Sequence, residues 1–181
     1  MGCYMVKPHP AVIEAIKTTK PTDLEEDPIV MFQKKYYIPL FLVFGFILPS
    51  IIPHLMWNEP LLLAFLASNL RYIASLHFTW TVNSLAHWHG MKPYDKSICP
   101  SENMLVTFLA LGEGFHNFHH TWPYDYRASE WGLKFNITTA MISTMAKLGL
   151  AYDLRTASEE TVTTKALSTG DINLTACFHR K

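Results

Sequence analysis

Residues 36–57, from Tyr36 to Trp57, contain no Asp, Glu, Lys or Arg. As a helix, this run of 22 residues rises ~33 Å, enough to cross a bilayer core of about 30 Å. A helix buried in a soluble core has no need of such length. Pro39, Pro49 and Pro53 predict kinks, which membrane helices tolerate because neighbouring groups satisfy the freed backbone. Asn58-Glu59-Pro60 then reads as a tight turn, and a second apolar run extends from Leu61 through Arg71 and His77 to His87. That run exceeds what a bilayer requires, so its end should project beyond the membrane. The two runs predict a transmembrane helical hairpin, residues 36–87, in an all-α integral membrane protein. Arg71 is expected to snorkel or to pair inward, since charges in membrane helices face protein or water; it receives no catalytic role. Lys34 and Lys35 precede the hairpin, and Lys92 and Lys96 follow it. The positive-inside rule then puts both ends, and everything attached to them, on the cytosolic side.

Composition agrees. Apolar residues make up 49% and charged residues only 17%, fewer charges than ordinary soluble domains carry. Lys plus Arg equals Asp plus Glu, 15 each, so no basic surface points to nucleic acid. Cys3, Cys99 and Cys177 are far apart and odd in number. They offer neither a metal spacing nor a disulfide framework, which suits domains facing a reducing compartment. Val6 stands where N-myristoylation requires Ser or Thr, and the first residues lack the apolar core of a signal peptide.

Outside the hairpin the pattern predicts three further segments. Residues 1–35 read as cytosolic and partly helical. Val12, Ile13 and Ile16 recur at helical spacing after Pro10, Thr22 to Glu25 forms a capping box, and Asp27-Pro28 suits a fresh helix start. Residues 88–157 hold a short apolar helix at 101–111, with Ser101 as its N-cap, and a second helix over 136–148. Ile137, Met141, Met145 and Leu148 line one face of the second and Gly149 stops it. Such a face suits a membrane surface or packing on the rest of the cap. Residues 158–181 read as a polar tail.

The chemistry concentrates in Glu113–His120. His116, His119 and His120 fall at i, i+3 and i+4, one face of a helix. Imidazole suits iron, copper, nickel or zinc. A lone histidine would more simply be a hydrogen-bonded surface residue, but three at this spacing between aromatics point to a metal. Asn83 and His87 are also i, i+4, with Trp80 three residues earlier, so Trp80, Asn83 and His87 are expected on one helix stripe. A histidine and an amide at the end of an apolar helix are costly to bury unpaired, and a shared metal would satisfy them.

With these residues the protein resembles the membrane-bound acyl-CoA desaturases of the stearoyl-CoA (delta-9) type. The resemblance rests on Asn83-Ser-Leu-Ala-His87, Gly90, Pro93-Tyr-Asp-Lys96 and Gly112-Glu-Gly-Phe-His-Asn-Phe-His-His120. Pro123-Tyr-Asp-Tyr126, Ala128-Ser-Glu130 and Leu148-Gly-Leu-Ala-Tyr-Asp153 continue it. It extends from about Gly2 to Asp171 and implies the C-terminal half of a four-span fold with a cytosolic histidine-box cap. It implies oxygen-dependent insertion of a cis double bond into a long-chain acyl-CoA at a di-iron centre, in the endoplasmic reticulum membrane, with electrons from cytochrome b5 and its reductase. By position, His87, His116, His119 and His120 are similar to iron ligands. Asn83 resembles the residue that reaches an iron through a water. Thr79 and Trp80 match positions lining the kinked acyl tunnel, and Lys7 matches a basic position near the coenzyme A phosphates. Pro8 stands where the family commonly has a second basic residue. His9, His54, His77, His89 and His179 match no ligand position.

The family pattern places two earlier boxes, HxxxxH and HxxHH, and another membrane hairpin before the matched region, and neither is present in this sequence. Four histidines and an amide supply about half of two iron shells, so the protein is expected to be inactive alone. A non-catalytic relative binding lipid or a desaturase partner, and a membrane di-iron hydroxylase, are the competing readings. The flanks of Asn83–His87 and Gly112–His120 favour desaturation. Two sequons, Asn136-Ile-Thr138 and Asn173-Leu-Thr175, offer a probe of orientation.

Overall fold

A computed structural model describes residues 7–19, 22–130 and 136–171. Among these residues the protein is helical, with no strand beyond isolated bridges. It divides into two units, Met1–Ala74 and Ser75–Lys181.

The first unit opens with α1 (Pro10–Thr18), α2 (Thr22–Glu26) and α3 (Pro28–Lys35). His9 caps α1 by accepting the Ala11 amide. Asp27 caps α3 through the amides of Ile29 and Val30, with Pro28 at the first helical position, as its fixed φ favours. Thr22 lies within α2 rather than capping it, which removes the expected capping box.

The first apolar run is helical over Tyr37–Trp57. It comprises α4 (Tyr37–Leu42), a π turn (Val43–Ile47) and α5 (Leu48–Trp57). Proline explains the irregularity. Pro49 has no N–H for the Gly45 carbonyl four residues back, and its ring crowds that carbonyl. The helix widens there, and the Leu48 amide reaches Val43, one residue further back than in an α-helix. The Gly45 carbonyl takes donors from the second run instead: Ser68 Oγ at 3.2 Å and Arg71 at 2.9 Å. Arg71 is therefore paired inward, with a backbone oxygen. Phe41, Phe46 and Tyr72 pack edge to face nearby, with centroids 5.2 to 5.5 Å apart. Asn58, in the left-handed conformation, ends α5, and α6 (Leu61–Val82) follows. Among the described residues, two helical runs are thus long and apolar enough to cross a membrane, Tyr37–Trp57 and Leu61–Trp88. Their large side chains are exposed, Leu62 and Leu70 each at 70%. In water that apolar area would be costly, at roughly 25 cal/mol per Å², whereas hydrocarbon is its natural solvent.

The second unit holds the end of α6, then α7 (Leu85–Trp88), α8 (Met104–Leu109), α9 (His116–Thr121), α10 (Ile137–Lys147) and α11 (Glu159–Thr169). Its core is Tyr94, Phe118, Trp122, Ala157, Val162 and Ala166. Two of the six core residues lie on α11, in the stretch read as a polar tail. That helix is capped by Ser158, and Val162 and Ala166, four apart, turn its one apolar stripe inward. Asn103, not Ser101, caps α8 by accepting the Val106 amide. Ser101 is buried and gives its hydroxyl to the Ala86 carbonyl. Asn136 caps α10, whose Ile137, Met141 and flanking Leu148 are exposed.

Candidate metal centre

The helix stripe expected for Trp80, Asn83 and His87 is broken. The Ser84 hydroxyl bonds the Trp80 carbonyl at 2.7 Å, taking the acceptor that its own amide would use in a helix. α6 ends at Val82 and a two-residue turn leads to α7, which carries His87. Asn83 is left exposed in that turn. What fixes His87 is the next loop, whose Ser101 bonds the Ala86 carbonyl through both amide and hydroxyl.

The same loop holds α9. The Glu102 backbone bridges Met91 on one side and Phe115 on the other. Glu102 Oε1 accepts the Phe118 amide at 2.8 Å, one of the amides a helix N-terminus leaves free. Close approach makes glycine necessary twice: a Cβ on Gly90 would strike the Glu102 carbonyl, and one on Gly114 the Thr107 amide. Asn117 is fully buried and is engaged by residues 94–100. Its Oδ1 accepts the amides of Tyr94 and Asp95 at 3.0 and 3.1 Å. Its Nδ2 donates to the carbonyls of Asp95 and Pro100, both at 2.9 Å. Every hydrogen-bonding capacity of that amide is used.

Held this way, His87, His116 and His120 converge. His116 Nε2 lies 2.9 Å from His87 Nε2 and 3.2 Å from His120 Nε2, and one ligand atom from each lies within 4.8 Å of the others. A central ring nitrogen facing two others cannot satisfy both with a single proton, whereas a cation can accept all three lone pairs. His116 is 6% exposed. Burial first, then the charges of His120, His87 and His119, lowers it to about 4. Burial and its histidine neighbours lower His120 as well. Both shifts favour the unprotonated imidazole, the form that binds metal. His119 stands apart from this trio, its ring 5.8 Å from His116, near-parallel to it.

The other expected residues are placed as follows. Thr79 is exposed and bonds its hydroxyl to the Ser75 carbonyl. Trp80 is half-buried, edge to face with His77. Lys7 is exposed ahead of α1, in the other unit. His54 is engaged by the Glu59 carbonyl, and His179 lies outside the described residues.

Sequence reasoning passed over the residues behind the histidines. Glu102 is buried, and burial pushes its carboxyl up to about 8 against the Phe118 amide that pulls it down. Its Oε2 has no hydrogen-bond partner among the described residues. Burial, then the neighbouring Glu130 and Glu102, raises the Tyr94 hydroxyl. The available signal was an acid and an amide set among apolar and aromatic residues.

No family model matches the protein. Curated proteins do. The delta(9)-fatty-acid desaturase fat-6 of Caenorhabditis elegans is 50% identical over 163 residues, 90% of this chain and 48% of the relative. Stearoyl-CoA desaturase 5 of Bos taurus is 48% identical over 172 residues, 94% of this chain and 51% of the relative. The stearoyl-CoA desaturase of Homo sapiens is 48% identical over 174 residues, 96% of this chain and 48% of the relative. The chain spans about half the length of the curated relatives it matches.

Proposed function

The protein is homologous to the C-terminal half of the stearoyl-CoA (delta-9) fatty acid desaturases, and from that premise we propose that it supplies part of a di-iron centre for desaturating long-chain acyl-CoA. The observation that carries the reading is the convergence of three imidazoles, His87, His116 and His120, on one point. The donor set suits iron and leaves room for further ligands. His119 and Asn83 complete this protein's share on that reading, His119 by turning its ring inward and Asn83 through a water.

Iron bound there supplies the oxidant that an unactivated C–H bond within an acyl tail requires, because that bond has neither acidity nor a leaving group. The overall change removes two hydrogens from adjacent carbons of the tail. With two electrons and two protons it reduces one dioxygen to two waters. Electrons come from cytochrome b5 and its reductase. Thr79 and Trp80 line the path of the acyl tail, which must leave water, and Lys7 meets the coenzyme A phosphates. The protein works in the endoplasmic reticulum membrane with its ends in the cytosol.

The test is a chimera in which this sequence replaces the matching C-terminal part of a complete relative. Expressed with cytochrome b5 and its reductase, it should convert a saturated acyl-CoA to a monoene, and His119→Ala should abolish the product. The 181-residue protein alone should form none. A folded chimera without product would overturn the reading in favour of a non-catalytic relative, and a hydroxylated product would identify a hydroxylase.

A further inference from the structure

Resting on the metal reading above, we propose that Glu102 is a positioning residue that sets the geometry of the histidine centre through its side-chain hydrogen bond to α9. Three observations converge on it. Among the described residues, Glu102 is the one whose backbone bridges both the strand-like stretch after His87, at Met91, and the residue before His116, at Phe115. Its carboxyl reaches the Phe118 amide at 2.8 Å, between His116 and the His119–His120 pair in sequence. It is also 7% exposed, a place where a carboxyl is costly unless its hydrogen bond is needed.

The physical consequence follows from the length of α9. It has only six residues, His116–Thr121, so it has few internal hydrogen bonds to fix its axis. The direction in which His116, His119 and His120 point is set from outside. Asn117 anchors the helix to residues 94–100, a stretch without a ligand. Asn103 ties the residues before α9 to the segment carrying His87, through its amide to the Gly114 carbonyl and its Nδ2 to the His89 carbonyl. The Glu102 carboxyl is the side chain from that side that reaches α9 itself. Losing the Phe118 bond frees α9 to rotate against α7, and the ligand trio opens. Outer-shell partners of this kind change metal affinity by roughly 10- to 100-fold.

Cobalt(II) provides the test, since its visible absorption reports ligand number and geometry independently of catalysis. The 181-residue protein is purified in micelles and titrated with cobalt(II) alone, with circular dichroism as the measure of folding. Glu102→Ala should weaken binding at least about tenfold and change the visible spectrum with helicity retained. Glu102→Gln, which keeps an acceptor oxygen at the same reach, should restore both to within about threefold. Glu102→Asp, one methylene short of the amide, should behave like Glu102→Ala and carries the test if the alanine variant does not fold. Wild-type affinity and spectrum in a folded Glu102→Ala or Glu102→Asp protein would overturn this inference alone. Failure of Glu102→Gln to rescue would overturn it too, because charge rather than the hydrogen bond would then matter. No cobalt binding by the wild type would overturn both this inference and the metal reading.

Discussion

The hairpin and the histidine unit handle polar groups in opposite ways. In the hairpin, proline displaces the Gly45 carbonyl from its regular helical partner, and two side chains of the next helix, Ser68 and Arg71, take it. In the histidine unit, a single amide side chain makes four hydrogen bonds. Buried serine, glutamate and asparagine there hold the segments alongside a buried hydrophobic cluster of six residues among those described. The difference follows from solvent. Hydrocarbon allows almost no unsatisfied polar group, so a membrane hairpin carries few, each with a designated partner. A metal centre needs rings aimed to within a fraction of an ångström, and hydrogen bonds supply direction where apolar contacts do not.

The largest effect should come from breaking the denser network. Asn117→Ala strands two amides and two carbonyls, at about 1–3 kcal/mol for each group that water cannot reach. A loss of about 4 kcal/mol in the denaturant-unfolding free energy is expected. Asn117→Asp keeps the acceptor and loses the donors, so it should fall between. If Asn117→Ala cost under about 1 kcal/mol, the network would be decoration and the contrast with the hairpin would fail.

The hairpin should yield a smaller, more specific effect. Removing Arg71 loses a hydrogen bond yet also removes a charge that is costly in lipid, so its single-mutant cost has no clear sign. The coupling does. Pro49→Ala restores an N–H for Gly45, after which Arg71 has less to do. A double-mutant cycle of Pro49→Ala and Arg71→Ala, measured by reversible unfolding in mixed micelles, should give a coupling of about 1 kcal/mol. Additive mutations would mean that Arg71 serves something other than the proline defect.

Much of this was legible in the sequence because it depends on periodicity. The two apolar runs and the helix start at Asp27-Pro28 project directly onto structure, while the histidine spacing does so only for His116 and His120, which meet His87 rather than His119. What could not be read depends on which acceptor a short polar residue takes. Ser84 turns back on Trp80 and breaks a helix that the apolar pattern would have continued. Ser101 and Asn103 are both good caps, and tertiary contact with Ala86 claims the first. The Asn136 sequon is a further case. Its side chain is buried and caps α10 by accepting the Thr139 amide, a structural role that the sequon pattern does not reveal. α11 was missed because overall polarity hid a two-residue stripe, although Ser158 followed by Glu159 and Glu160 is a helix-start signal.

The smallest effect tests whether the histidine unit's network extends to its exposed edge. Lys165 on α11 meets Asp95 at 2.8 Å, and the Asp95 backbone belongs to the Asn117 network. The hydrogen bond from Lys165, then those from Ser97, hold the Asp95 carboxyl down at about 2 from an ordinary 3.8. A carboxylate lowered on folding stabilises the protein above its unfolded value, and that stability is lost as pH falls through the folded value. The contribution of this pair should therefore be full at about pH 6, decline below about pH 4 and be gone near pH 2. Because the pair is partly exposed, it should amount to under about 1 kcal/mol and shrink in salt. The measurement is the thermal midpoint of wild type and Lys165→Ala in micelles from about pH 6 to about pH 2. The two curves should be separated at the upper end and converge at the lower. Curves that stay parallel across that range would show that Lys165 acts through packing of its stem, and that the directional network ends at Asn117. Convergence would extend it to α11, the helix that shields Phe118 and Trp122 behind the histidines.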